Sequence, residues 1–186
     1  DGRATLNHSP HTMTNTILGI DPGTKEMGMA VLRHGRLIGS GVHTLKSGSR
    51  PYDLIGQARR VLLSYIEEFA PDLVVIEAPL RLPTQRAALM SVIGQELHEG
   101  ARDLHISVVE LTPQEVRQAV AGDPRASKIQ LAEALVRSGF PELADRVPTR
   151  PARSALGLRP RDRYWLHLFD ALGLAVAGGA CPREST

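Results

Sequence analysis

Two short apolar runs, each ending on a carboxylate, do most to limit how this chain can fold. Ile17-Leu18-Gly19-Ile20 leads into Asp21, and Leu73-Val74-Val75-Ile76 leads into Glu77. Runs of this length and composition read as strands buried on both faces. Between them Leu54, Ile55, Ala58, Val61, Leu62, Tyr65, Ile66 and Phe69 recur at helical spacing, and Pro71-Asp72 ends the pattern. A helix joining two buried strands is the crossover that makes them parallel, and parallel neighbours place their C-terminal ends on one sheet edge. Asp21 and Glu77 are therefore expected to face each other. Taken alone, Asp21 could equally be a cap for the turn at Pro22-Gly23-Thr24.

The remaining pattern fills in one sheet and its helices. Met27 to Arg33 and Arg36 to Leu45 are β-like runs joined at His34-Gly35, so the first three strands form an antiparallel meander. A helix from about Thr84 to Asp103 and a fifth strand from His105 to Leu111 follow. Thr112-Pro113-Gln114-Glu115 and Ser127-Lys128-Ile129-Gln130 are capping boxes opening helices to about Val120 and Ser138. Arg59, Arg60, Glu67 and Glu68, with Glu96, His98 and Glu99, read as solvated faces. Residues 141–161 are rich in Pro and Arg without a period and read as a loop, and a last helix from about Asp162 to Ala177 is apolar nearly all round, hence buried. The expected class is α/β, a five-stranded mixed sheet flanked by helices, with a three-strand antiparallel meander and two parallel strands.

A chain of 186 residues that is 42% hydrophobic fits one globular domain over residues 13–180, with disordered tails at 1–12 and 181–186. Two large lobes do not fit. Cys181 is the sole cysteine, which excludes an internal disulfide and a cysteine-based zinc site and points to a reducing, cytoplasmic setting. No run approaches the roughly 18–20 apolar residues that span a bilayer, so no membrane partner is expected. A net charge of +2 says little by itself about partners.

Two ionisable residues interrupt the apolar last helix. His167 and Asp170 are three apart, hence on one helical face. Buried ionisable groups need partners, and no basic residue in that helix core offers an obvious one. Three carboxylates and an imidazole drawn from distant segments repel unless cations bind among them, and hard oxygen donors suit Mg²⁺ or Mn²⁺, the imidazole tilting the choice toward Mn²⁺. Two such ions can activate water and stabilise the leaving oxygen of an in-line phosphoryl displacement. In that scheme Asp21 bridges the ions and Glu77, His167 and Asp170 complete their shells.

The segments GIDPGT, PDLVVIE, VRQAVAG, ASKIQ and HLFDALGLA, in that order, resemble the RuvC Holliday junction resolvases of the RNase H-like superfamily. The resemblance implies an RNase H-like fold and a divalent-metal endonuclease that resolves four-way DNA junctions by paired nicks. It implies a homodimer, and branch-migration machinery as a partner. Asp21, Glu77 and Asp170 match the family's acidic ligands, and His167 stands where many members have Asp and some have His. Lys128 matches a basic residue near the scissile phosphate, and Arg117 falls where many members carry Lys. After Glu77 the family tends to place an aromatic wedge, whereas this chain has Ala78-Pro79-Leu80-Arg81, leaving Leu80 as an apolar wedge. The Arg-rich stretch between Gly139 and Asp162 is longer than the family's connection.

GIDPGTKEMGMAV is also similar to the opening of the YqgF (RuvX) proteins, which would imply action on RNA, and a nucleic-acid-binding module that lost cleavage is a third reading. GID-x-GT resembles the phosphate hairpin of actin-like ATPases, which need a second lobe. Lys25, Arg81, Arg86, Arg117 and Lys128 lie on segments that could border the strand-end edge, and the stretch holding Arg153, Arg159 and Arg161 has two readings, a soluble linker with scattered charge or, if the acidic site is real, a phosphate-contacting arm.

Overall fold

The central strand sets the frame. β1 (Thr16–Asp21) is buried at every position, and it pairs antiparallel with β2 (Glu26–Arg33) on one side and parallel with β4 (Leu73–Glu77) on the other. β3 (Arg36–Thr44) continues the meander beyond β2, and β5 (Ser107–Leu111) runs parallel to β4, giving the order β3-β2-β1-β4-β5. The turn between β2 and β3 has positive φ at both His34 (51°) and Gly35 (74°), the conformation a two-residue hairpin needs to match strand twist. The structure, a computed structural model, describes residues 16–46, 50–79, 83–149 and 160–180.

Strand alternation divides the core in two. Leu18, Ile20, Met29, Val31, Val74 and Ile76 point to a layer made by α1 (Pro51–Phe69) and α2 (Gln85–Arg102), where they meet Ala58, Leu62, Ile93 and Leu97. Ile17, Ala30, Leu32 and Val75 point the other way, toward α5 (Pro160–Ala180), with α3 (Pro113–Ala121) and α4 (Lys128–Ser138) packed alongside it. Both expected capping boxes form: the Thr112 hydroxyl accepts from Glu115 N and the Ser127 hydroxyl from Gln130 N.

α5 lies against the sheet at unusually short range. A methyl group at Gly19 would fall 2.1 Å from the Ala171 carbonyl oxygen, and one at Gly28 would fall 2.0 Å from that of His167. Only bare strand backbone admits the helix backbone this closely.

The structure modifies three readings of the sequence. The stretch at 141–161 is not loop throughout: Pro141–Arg146 is a 3₁₀ helix that buries Leu143 beside Phe140 in the α5-side core, and α5 begins at Pro160. α5 also runs past Ala177, to Ala180. Arg146 lies 4.7 Å over the Trp165 ring, and the Tyr164 hydroxyl donates to the Val42 carbonyl at 2.8 Å, tying this region down. Nor are the charged faces of α1 and α2 simply solvated. Arg59 reaches Glu96 at 2.5 Å across the two helices, and His98 meets Glu110 of β5 at 2.9 Å. Residues 1–15, 47–49, 80–82, 150–159 and 181–186 lie outside the described residues, and with them both predicted tails and Arg150, Arg153 and Arg159 of the Arg-rich stretch.

The glycine contacts give a test of packing. Gly19→Ala and Gly28→Ala should each lower the free energy of unfolding in urea by about 1–3 kcal/mol, the usual range for overpacking. Gly94→Ala, in α2 where an added methyl meets nothing within 4 Å, should raise it by about 0.4–1 kcal/mol through loss of unfolded-state freedom.

Candidate active site

Asp21 ends β1 and Glu77 ends β4, one residue beyond the paired Ile20 and Ile76. Both share strand parity with Gly19 and Val75, so both stand on the face that α5 covers. Gly28 lies directly opposite Asp21 in the β1–β2 ladder and is the point where the His167 backbone touches the sheet. That contact delivers the imidazole to the carboxylate: His167 Nδ1 is 2.6 Å from Asp21 Oδ2. Its other nitrogen, Nε2, lies 3.3 Å from Glu26 Oε2 at the start of β2.

One turn along α5, Asp170 is only 6% exposed and forms an ion pair with Lys128. Asp170 therefore has the basic partner that the sequence did not make evident, brought in from α4. Lys128 is the first residue of that helix, where a cation runs against the helix dipole. The carboxylates around it offset this. Burial penalises the ammonium, yet Asp170, Asp21 and Glu77 outweigh that penalty and raise the Lys128 pKa.

The acids record the crowding. Burial, reinforced by the negative charges of Asp21 and Asp170, pushes Glu77 up to about 7. Burial and the charge of Asp21 push Asp170 up to about 6, with Lys128 pulling the other way. For His167, burial opposes protonation, but the hydrogen bond to Asp21 and its charge prevail and the pKa is raised. Each group is held by mutual compromise: carboxylates that repel, an imidazole and an ammonium that partly neutralise them.

The donor set suits a divalent cation. Carboxylate oxygens and an imidazole nitrogen are hard or borderline ligands, and their mutual repulsion is what a bound cation relieves. Among the described residues, no three His, Cys, Asp or Glu side chains already stand together as a ready-made metal cage. Lys128 and the imidazole take up the carboxylates instead, and a cation bound to Asp170 must compete with Lys128 for it.

The cluster opens into a cleft of about 720 Å³ whose lining includes Asp21, Glu77, Lys128 and His167, with Lys25, Arg86 and Arg163 among the residues around them. A second cavity of about 140 Å³ is lined by Asp170 together with Glu77, Lys128 and Arg117. Of the residues predicted to touch nucleic acid, Lys25 and Lys128 thus line the cleft, Arg117 the smaller cavity, and Arg161 is exposed on the first turn of α5 without lining either. Leu80, Arg81, Arg153 and Arg159 lie outside the described residues. Two members of the site went unread in the sequence. Arg163 has no signal of its own in the sequence, and the signal for Glu26 is its strand parity with Gly28, which places it on the same face.

Residues 17–145 match the family described as crossover junction endodeoxyribonuclease RuvC. The RuvC of Bacteroides fragilis is 34% identical over 128 residues, covering 65% of this chain and 67% of that protein. The RuvC of Cytophaga hutchinsonii is 32% identical over 161 residues, covering 81% and 77%. Thermus thermophilus RuvC superposes with a TM-score of 0.65 at 22% identity over 88% of this chain and 93% of that one, and with 0.64 at 20% identity (88% and 92%) in its complex with a Holliday junction substrate. At that identity the superposition speaks for the fold, the RNase H-like arrangement expected from the resemblance.

The electrostatics predict how metal-free stability depends on pH. A carboxyl whose pKa is higher folded than unfolded binds more protons when folded, so stability falls as pH rises through the folded value. The raised His167 pKa acts in the same direction. In chelator, the melting temperature should therefore climb as pH is lowered from 8 through about 7 and about 6, the values at Glu77 and Asp170. Glu77→Gln should melt higher than the wild type at pH 8 and show a shallower gradient. A wild-type melting temperature that stays flat over this window would contradict the crowding.

Proposed function

Because the chain belongs to the RuvC family of crossover junction endodeoxyribonucleases, we propose that its carboxylate cluster is the centre at which it cuts branched DNA. The activity is that of a Holliday junction resolving endonuclease. The observation that carries the site assignment is the convergence of Asp21, His167, Asp170 and Glu77, with Asp21, His167 and Glu77 lining a cleft that basic residues also line and Asp170 buried behind them on Lys128.

Asp21, Glu77, Asp170 and His167 are the residues that would hold the divalent cations on which the family depends, two Mg²⁺ or Mn²⁺ ions in our reading. Bound there, such cations supply Lewis acidity for in-line hydrolysis of a phosphodiester. The chain's own contribution is placement. Asp21 and Glu77 are fixed by a buried strand end and a half-buried one, and Asp170 and His167 by a helix seated on glycine, so the reacting phosphate meets a rigid constellation. Lys128, its side chain 46% exposed and its ammonium on Asp170, is placed to turn to the scissile phosphate once a cation takes up that carboxylate. Lys25, Arg86 and Arg163 are exposed and take the flanking phosphates.

Paired nicks need two such sites, and a homodimer supplies them. α2 turns Ile93 and Leu97 into its own core but leaves Val92 47% exposed, an outward apolar position consistent with a second subunit there. Branch-migration machinery is the partner that the family assignment brings with it. No helix among the described residues is long and apolar enough to cross a membrane.

Two assays test this reading. Cleavage of a four-way junction, a fork and linear duplex, each with Mg²⁺ and with Mn²⁺, should favour the junction, and equal activity on all three would remove the resolvase assignment. Asp21→Asn should lose more than about 100-fold of the rate, beyond what losing a supporting partner costs, while still binding the junction. Arg163→Ala should weaken junction binding and lower the salt slope of log K by about one unit, whereas an unchanged slope would remove Arg163 from the phosphate track.

A further inference from the structure

Glu26 is the acidic group at the site for which the ligand set has no place. It opens β2, and alternation from Gly28 turns it toward α5 while Met27 and Met29 go into the opposite core. Its side chain is 32% exposed, unlike the buried Asp21 and Asp170. It meets His167 across the ring from the cluster: Nδ1 faces Asp21 at 2.6 Å and Nε2 faces Glu26 at 3.3 Å. An imidazole can present a lone pair at one nitrogen only when its proton sits on the other, and the hydrogen bond made by the second nitrogen decides which. Metal-ligating histidines accordingly tend to donate their remote N–H to a carboxylate.

We propose that Glu26 is a positioning residue for His167: without metal Nδ1–H donates to Asp21, and where a cation takes the place of that proton, lost to solvent, Glu26 would accept Nε2–H and keep the freed Nδ1 lone pair directed into the carboxylate cluster. The inference rests on the metal-nuclease reading above and adds to it a residue that acts only through the imidazole. Among the described residues the charged groups acting on the ring are Asp21 from β1, Glu26 from β2, Asp170 from α5 itself and Lys128 from α4, and Glu26 is the one that meets Nε2. Glu26 sits on a strand whose register is set by pairing with Thr44 in β3, so its carboxylate is anchored independently of α5.

The test compares Glu26→Ala, Glu26→Gln and Asp21→Asn with the wild type in two measurements that do not require turnover. The first is Mn²⁺ binding, followed by the electron paramagnetic resonance of the free ion. Glu26→Ala should bind Mn²⁺ about 10- to 100-fold more weakly, the range for loss of a carboxylate behind a metal-bound histidine, and Glu26→Gln, which keeps an acceptor without the charge, should recover most of that loss. The second is the imidazole ¹⁵N spectrum with Mg²⁺ present. His167 should show a protonated Nε2 and an unprotonated Nδ1 in the wild type and in Glu26→Gln, and lose that pattern in Glu26→Ala. Unchanged binding and an unchanged pattern in Glu26→Ala overturn the proposal. So does a Glu26→Gln variant as weak as Glu26→Ala, since charge rather than hydrogen bonding would then be acting. Asp21→Asn separates the two levels: if it binds Mn²⁺ like the wild type, the metal site itself is wrong, and if it alone loses binding, only the role of Glu26 fails.

Discussion

A helix backbone resting on bare strand backbone is the contact from which the rest of this structure follows. Gly19 and Gly28 leave room for the carbonyls of Ala171 and His167 where any side chain would push α5 away. With α5 seated this low, its apolar surround is buried between the sheet and α3 and α4, and Phe169 and Leu172 become fully enclosed core residues. The hydrophobic gain from that burial also fixes the two ionisable residues on the same helix. Asp170 and His167 do not seek the strand ends; they are carried there by a helix that has no other place to lie.

That placement is unfavourable to the charges themselves. Asp21 and Asp170 are almost wholly out of water, and Glu77 is raised to about 7 because burial and its neighbours resist its ionisation. A purely structural core would be better served by apolar residues of the same volume. Lys128 compensates in part, but it does so from the first turn of α4, where its own charge opposes the helix dipole. Local conflict of this kind, surrounded by well-satisfied packing and capping, is where a fold gives up stability for chemistry.

Most of the frame was legible because it rests on short-range rules. The carboxylate-ended strands, the helical crossover, the His34-Gly35 hairpin and both capping boxes follow from residue type and spacing, and from them come the sheet order and the convergence of Asp21 with Glu77. Three things resisted. The ion pair between Lys128 and Asp170 joins residues 42 apart in sequence, and nothing local to α5 announces a partner on α4. The 3₁₀ helix at Pro141–Arg146 has too few apolar residues for a period and is held by Leu143 and Phe140 reaching the α5-side core. Glu26 lies just before the run that reads as a strand from Met27, and only the contact of Gly28 with α5 makes its parity with Gly28 informative about its direction.

Charge placement, rather than charge total, is what makes the cleft suited to a polyanion. A net charge of +2 over 186 residues would not draw DNA strongly, and a floor of carboxylates would repel it. The exposed Lys25, Arg86 and Arg163 have no carboxylate partner among the described residues, so their charge is available at the cleft. Lys128 stands between the two roles, half-exposed at the boundary of the cleft and the smaller cavity yet paired inward to Asp170. On the proposed reading, an approaching phosphate and an arriving cation would act on that pair in the same sense, one attracting the ammonium and the other the carboxylate. Each would then ease the other's binding, and a carboxylate-lined site that by itself repels a polyanion would, with cations bound, favour it.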